Sequence, residues 1–191
     1  TFADENGFDG IWIPERHFNP FGGLYPNPSV LGAAIAVKTN HIHIRGGSVV
    51  APLHHPVRIA EEWSTLDNLS KGRIGISFGS GFHPKDFILA PEKFENRKEE
   101  MFKAIETIEK LWKGESITAA SGVNGDFTVR LFPTPYAESL PTWLSTTRSH
   151  DTFIEAGTRG YNILTALLRL SIEELKERID IYREAREKAG H

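Results

Sequence analysis

What most constrains this chain is its rhythm. Short apolar runs alternate with longer amphipathic ones, and glycine or proline punctuates the joints. FDGIWIPE (8–15) reads as a buried strand after a helix end in which Gly7 is the C-cap. NPSVLGAAIAVKTN (27–40) reads as a helix with Pro28 in its first turn. IHIRGGSVVAP (42–52) is a strand, and HPVRIAEEWSTLDNLSKG (55–72) a helix with Ile59, Trp63 and Leu66 on its core stripe. RIGISFGSG (73–81) is the next strand. ENRKEEMFKAIETIEKLWKG (95–114) is the clearest helix, with Met101, Ile105, Ile108 and Trp112 on one face. DFTVRLFP (126–133) alternates as a hairpin arm does, with SGVNGD at its turn. PTWLSTT (141–147) is a strand, HDTFIEAGTRG (150–160) a short helix and YNILTALL (161–168) a strand. SIEELKERIDIYREAREKAG (171–190) closes as a helix, with Ser171 as N-cap and Glu174 at the capping-box position.

Strands separated by helices pair in parallel through right-handed crossovers. That leaves an open doubly wound sheet or a (β/α)8 barrel. No G-x-G-x-x-G opens a helix after a strand; the glycines of FGSGFH (78–83) run into PKDF instead. A barrel fits better, although about five strands cannot close one. The chain also begins in the tail of a helix with no strand before it. The expectation is an α/β fold: a (β/α)8 TIM barrel present as an incomplete barrel of about five of eight strands. Residues 1–191 would form a single domain, truncated at both ends.

Composition removes several function classes. The net charge is −3 with no basic cluster, so there is no positive stripe to hold nucleic acid. There is no cysteine, which excludes disulfides, thiolate zinc sites and iron–sulfur clusters. No apolar run approaches the ~18 residues that a membrane helix needs. TFADENGFDG lacks the basic start and apolar segment of a signal peptide, so the default location is cytoplasmic.

In a barrel the chemistry sits where strands end. IWIPERHF (11–18) is unusual there: an apolar strand runs straight into Glu15, Arg16 and His17. Either the strand opens into a cleft, or Glu15 and Arg16 pair with each other at the rim. Gly47 and Ser48, Ser77 to Gly81, Ser145 to Arg148, and Thr165 lie at the corresponding ends of later strands. STTRSHDTF (145–153) brings hydroxyls and an arginine to a helix N-terminus, which suits a phosphate; Ser149 or Asp151 would serve there as N-cap. Arg97 starts the helix after the glycine-rich strand end, and its plain alternative is an ion pair with Glu99 or Glu100. His41 and His43 begin a strand, at the opposite end from the chemistry. His54 and His55 lie in a strand-to-helix loop; adjacent side chains diverge, so a hydrogen-bonding or loop-positioning role is expected rather than joint metal binding. No metal site, carboxylate pair, Ser-His-Asp order or P-loop is read from the sequence.

GFDGIWIPERHF, GGLYPNPSV and GSVVAPLHHPVRIAEEWSTLDNLSKGRIGISFGSGFHPKDF together resemble the bacterial-luciferase-like flavin-dependent monooxygenases, in order and over nearly the whole chain. PERHF, FGGLYPNP and LAPEKFENRKEEMF are most similar to the branch associated with polyketide and nonribosomal-peptide biosynthesis. The resemblance implies a barrel that binds reduced FMN at its C-terminal face and uses O2 as co-substrate. It implies a cis peptide at Gly47-Ser48 beneath the flavin ring. Arg97, with Thr146, Thr147, Arg148 and Ser149, would hold the FMN phosphate. Ser77 stands where luciferase has a reactive cysteine near the isoalloxazine. Luciferase has two histidines after the glutamate; here the first is Arg16 and only His17 is kept, which argues against light emission. Arg16 or His17 would be catalytic, bonding the activated oxygen or moving a proton. Phe18, Phe21, Tyr25, Phe78 and Phe82 would line the substrate side. The expected partners are a separate flavin reductase, an acyl or peptidyl carrier domain and a second copy in a homodimer. The alternatives are an F420-dependent oxidoreductase of the same superfamily and a non-catalytic flavin-binding or dimer-partner protein.

Overall fold

The computed structural model describes residues 1–21, 23–168 and 170–191; Gly22 of the GGLYPNPSV stretch and Arg169 fall outside them. In chain order the elements are α1 (Phe2–Glu5), β1 (Gly10–Ile13), α2 (Pro28–Ala36), β2 (His43–Val50), α3 (Pro56–Ser70), β3 (Ile74–Gly79), α4 (Arg97–Trp112), β4 (Ile117–Ala120), β5 (Asp126–Val129), β6 (Thr142–Ser145), α5 (His150–Thr158), β7 (Asn162–Leu164) and α6 (Ile172–Lys188). Three 3-10 turns add Ala51–Leu53, Pro84–Leu89 and Pro91–Lys93. Five strands pair in parallel in the order β1-β2-β3-β6-β7, and β4 and β5 form a separate antiparallel hairpin. The five-stranded sheet is an arc of the expected barrel, with β1 and β7 as its edges.

Each boundary has a local cause. β1 stops at Ile13 because Pro14 has no N–H to continue the ladder. α2 starts on Asn27, whose Oδ1 accepts the Ser29 N–H at 2.9 Å. It ends at Ala36, short of the expected residue 40. There Arg73 Nη2 donates to the Ala36 and Thr39 carbonyls, and the Thr39 hydroxyl donates back to Ile35. β7 is shorter than the expected 161–168, because its partner β6 ends at Ser145, opposite Leu164. α6 begins with the predicted capping box of Ser171 and Glu174. α5 and α6 approach closely at Gly157, where a Cβ would lie 2.5 Å from the Tyr182 carbonyl oxygen.

Alternation along the strands sorts the two faces of the arc. Ile13, Ile44, Val49, Ile74, Ile76, Phe78 and Leu144 share the main core with Ile59, Trp63 and Leu66 of α3 and with Met101, Ile105, Ile108 and Trp112 of α4. Burying each large side chain contributes about 1.5–3 kcal/mol. The opposite face carries Trp12, Arg45 and Trp143. The Arg45 guanidinium lies 5.5 Å from the Trp12 ring and 5.3 Å from the Trp143 ring, and it also pairs with Asp9 at 2.8 Å. The two indoles meet edge to face at 5.3 Å. Gly75 leaves room for Trp143: a Cβ there would sit 2.7 Å from Trp143 Cζ3. This filled layer lies low in the arc and leaves the strand ends above it for polar groups. No helix among the described residues is long and apolar enough to cross a membrane.

Candidate functional site at the strand ends

A cavity of about 650 Å³ opens where the sheet's strands end. Glu15, Arg16 and His17 line it after β1, Gly47 and Ser48 on β2, Ser80 to His83 after β3, Ser145 to Ser149 after β6, and Leu164 to Ala166 after β7. Asp86 reaches it from the turn Pro84–Leu89. Beside it lies a hollow of about 340 Å³ lined by Arg97, Lys98, Glu95, Met101 and Thr152; Ser80, Ser145, Thr146 and Ser149 belong to both. The Gly47-Ser48 peptide is cis, as the resemblance implied.

Arg97 is not in the surface ion pair that its sequence neighbours allowed, because Glu99 and Glu100 pair with Lys103. Its Nε donates to the Gly81 carbonyl at 3.2 Å, its Nη1 donates to the Phe94 carbonyl at 2.8 Å, and the group stacks on the Phe94 ring at 4.6 Å. Backbone acceptors therefore fix the guanidinium and leave its charge uncompensated by any carboxylate among the described residues. Opposite it, Ser149 caps α5: its Oγ accepts the Thr152 N–H at 3.4 Å and lies 3.0 Å from the Thr152 hydroxyl. The capping and anion readings of this turn coexist, since one cap leaves other first-turn N–H groups unbonded. The Thr165 hydroxyl, on the cleft wall, is buried with no hydrogen-bond partner among the described residues. A fixed guanidinium, the positive end of a helix, clustered hydroxyls and an orphaned hydroxyl suit a ligand with a phosphate and a polar chain.

The other wall is built around Glu15, which does not pair with Arg16. Its Oε1 lies 2.7 Å from Nε2 of both His17 and His54, and its Oε2 accepts the Val50 N–H at 2.8 Å. Burial alone would push the Glu15 carboxyl up, but the bonds from His17 and His54 hold it below its usual range. The bond to Glu15 raises His17; burial opposes this, and the charges of Glu15 and Asp86 reinforce it. The carboxylate oxygen and the two ring nitrogens lie within 4.8 Å of one another, a spacing a cation could also use. Both imidazoles spend Nε2 on the carboxylate itself, so the trio is a closed hydrogen-bonded set. His55 turns away, and its Nδ1 accepts the Val57 N–H at 3.3 Å to cap α3. The sequence singled out Glu15 but not its partnership with His54; only the paired histidines of LHHPV hinted that one would point inward.

The predicted substrate aromatics scatter. Phe82 lines the cleft. Phe18 adopts φ +53 beside the His17 ring, and its carbonyl accepts the Lys85 ammonium at 3.2 Å. Phe21 lies outside, 5.0 Å from the Arg16 guanidinium. Tyr25 packs against the core and accepts the Arg16 N–H at its carbonyl. Phe78 needs correction: it is 0% exposed and faces the helices, on the same side of β3 as Ile76. Ser77 points to the other side but is also buried, and it reaches the site only through Ser145, Oγ to Oγ at 2.7 Å.

Known proteins resemble this one along its full length. The model of the luciferase-like monooxygenase family matches residues 1–191. The alkanal monooxygenase alpha chain of the Kryptophanaron alfredi symbiont is 29% identical over 189 residues, covering 99% of this chain and 52% of the relative. The oxygenase component of flavin-dependent trigonelline monooxygenase from Acinetobacter baylyi is 28% identical over 192 residues, covering 97% and 52%. The crystal structure of monooxygenase RslO1 from Streptomyces bottropensis superposes with a TM-score of 0.87 at 26% identity, covering 98% of this chain and 57% of that one. The chain thus spans about half the length of the curated relatives it matches. A parallel sheet opening at its strand ends into a cleft, together with a family match over every residue, places the chain in the luciferase-like monooxygenase family.

Proposed function

We propose that this chain carries the flavin-binding part of a two-component monooxygenase that takes reduced FMN from a separate reductase and transfers oxygen from O2 to an organic substrate. The convergence of Arg97 with the 145–149 turn, beside the cleft that holds Gly47-Ser48, carries the reading. When bound, reduced FMN would supply the electrons that activate O2. Arg97, Thr146, Thr147, Arg148 and Ser149 would bind the phosphate end. Gly47 and Ser48 would form the floor under the ring. Ser77 would act from beneath by orienting the Ser145 hydroxyl. His17, biased toward its protonated form by Glu15, would hold a proton at the cleft wall. Arg16 and Phe82 would limit water and steer the substrate. A carrier-bound acyl or aminoacyl substrate fits the branch that PERHF and LAPEKFENRKEEMF resemble, and a homodimer is in keeping with such barrels in general.

The test is a titration of the protein with FMN, riboflavin and F420, each reduced anaerobically and followed by flavin fluorescence. Saturable binding with FMN preferred over riboflavin is the expected result. Preference for F420 would move the chain to oxygen-independent hydride chemistry. Binding of none would remove the flavin reading.

A further inference from the structure

We propose, building on that reading, that His54 is the outer station of a proton relay running from the cleft through His17 and the buried Glu15 carboxylate. His54 would be a positioning residue, acting through His17 rather than on the substrate. Glu15 and His17 line the cleft, whereas His54 is not among the residues that do. The two imidazoles therefore flank one carboxylate oxygen from different directions, each at 2.7 Å. The Glu15 side chain is 0% exposed, and of its two flanking imidazoles His17 is 9% and His54 29% exposed, so His54 is the member best placed to exchange protons with water. The Val50 N–H pins Oε2 and prevents the carboxylate from turning. With His17 and Val50 in place each carboxylate oxygen already has a partner, so satisfying the buried charge does not by itself call for a second imidazole.

The charged groups around the trio are few. Asp86 faces His17 from the turn Pro84–Leu89, and Lys85 of that turn bonds the Phe18 carbonyl. The Lys93 ammonium donates to the His54 carbonyl at 3.3 Å, and Arg16 lies against Phe21. None of these bonds competes for Nε2 of either ring. In the relay, His17 accepts a proton from the cleft at Nδ1 and passes its Nε2 proton to Glu15 Oε1. His54 acts here as its Nδ1–H tautomer, with Nε2 open toward Oε1: the carboxyl hands that proton to Nε2, and Nδ1 releases its own proton to water. One proton enters and one leaves, with no change in electrons.

The experiment compares wild type, His54→Gln and His54→Ala, labelled with 15N at histidine and free of flavin. Glutamine keeps a donor for Glu15 but cannot accept and release the proton. The relay predicts that solvent exchange of the His17 ring N–H slows at least about tenfold in both variants, and that added imidazole restores it in His54→Ala. Exchange at the wild-type rate in His54→Gln would overturn the proposal and leave His54 a structural donor. If His54→Ala does not fold, the glutamine variant decides alone. Flavin titration of the same samples separates the two questions: lost FMN binding with slowed exchange sinks the function and keeps the relay, and normal binding with unchanged exchange does the reverse.

Discussion

Gly47 lies flat against Trp12: a Cβ at position 47 would come within 2.6 Å of Trp12 Cε3. The indole cannot retreat freely, because its edge meets Trp143 and its face meets Arg45. Gly47→Ala is expected to cost about 1–3 kcal/mol through overpacking, read from urea denaturation, with a matching change in tryptophan emission. Unchanged stability would mean that the low layer of the arc is loosely packed.

Arg97 is held by two carbonyls and a ring yet matched by no carboxylate among the described residues. Arg97→Met should weaken FMN by about 10–100-fold, as expected for losing a charge-assisted contact. Riboflavin, which has no phosphate, should bind the variant as it binds the wild type. Equal losses for both ligands would place the phosphate elsewhere.

Glu15 and His17 give stability opposite pH dependences. Glu15 sits below its ordinary 4.5, so its contribution is complete above that value and is lost as pH falls through the depressed pKa. His17 sits above its ordinary 6.5, so its contribution is complete below that value and is lost as pH rises through the raised pKa. Both are fully present only between 4.5 and 6.5. Glu15→Gln should therefore lower the melting temperature most in that window and least in strong acid. A uniform loss across the pH range would contradict the pairing.

Arg73 ties three segments together, donating to the carbonyls of Ala36, Thr39, Ile42 and Ser70 and to the Thr39 hydroxyl. Arg73→Lys should destabilise by about 2–4 kcal/mol, because an ammonium cannot reproduce a planar fork serving several acceptors. Chemical denaturation checks this, and a lysine variant as stable as wild type would show the network to be redundant.

By itself the sequence determined the succession of strands and helices, down to the Ser171 capping box, since hydrophobic period, caps and breakers act over a few residues. It also carried the family motifs, which implied the cis Gly47-Ser48 peptide and pointed to the turn whose Ser145, Thr146 and Ser149 share a hollow with Arg97. Tertiary structure alone decided what lies far apart in the chain or depends on which face a strand buries. β3 is buried on both faces, so its residues show no alternation to reveal that Phe78 turns to the helices and Ser77 to the arc's interior. Glu15 meets His54 across 39 positions, and neither residue announces the other. Local pattern fixes φ and ψ, but the partner of a buried charge is set by where two loops end in space, and that follows only once the sheet has formed.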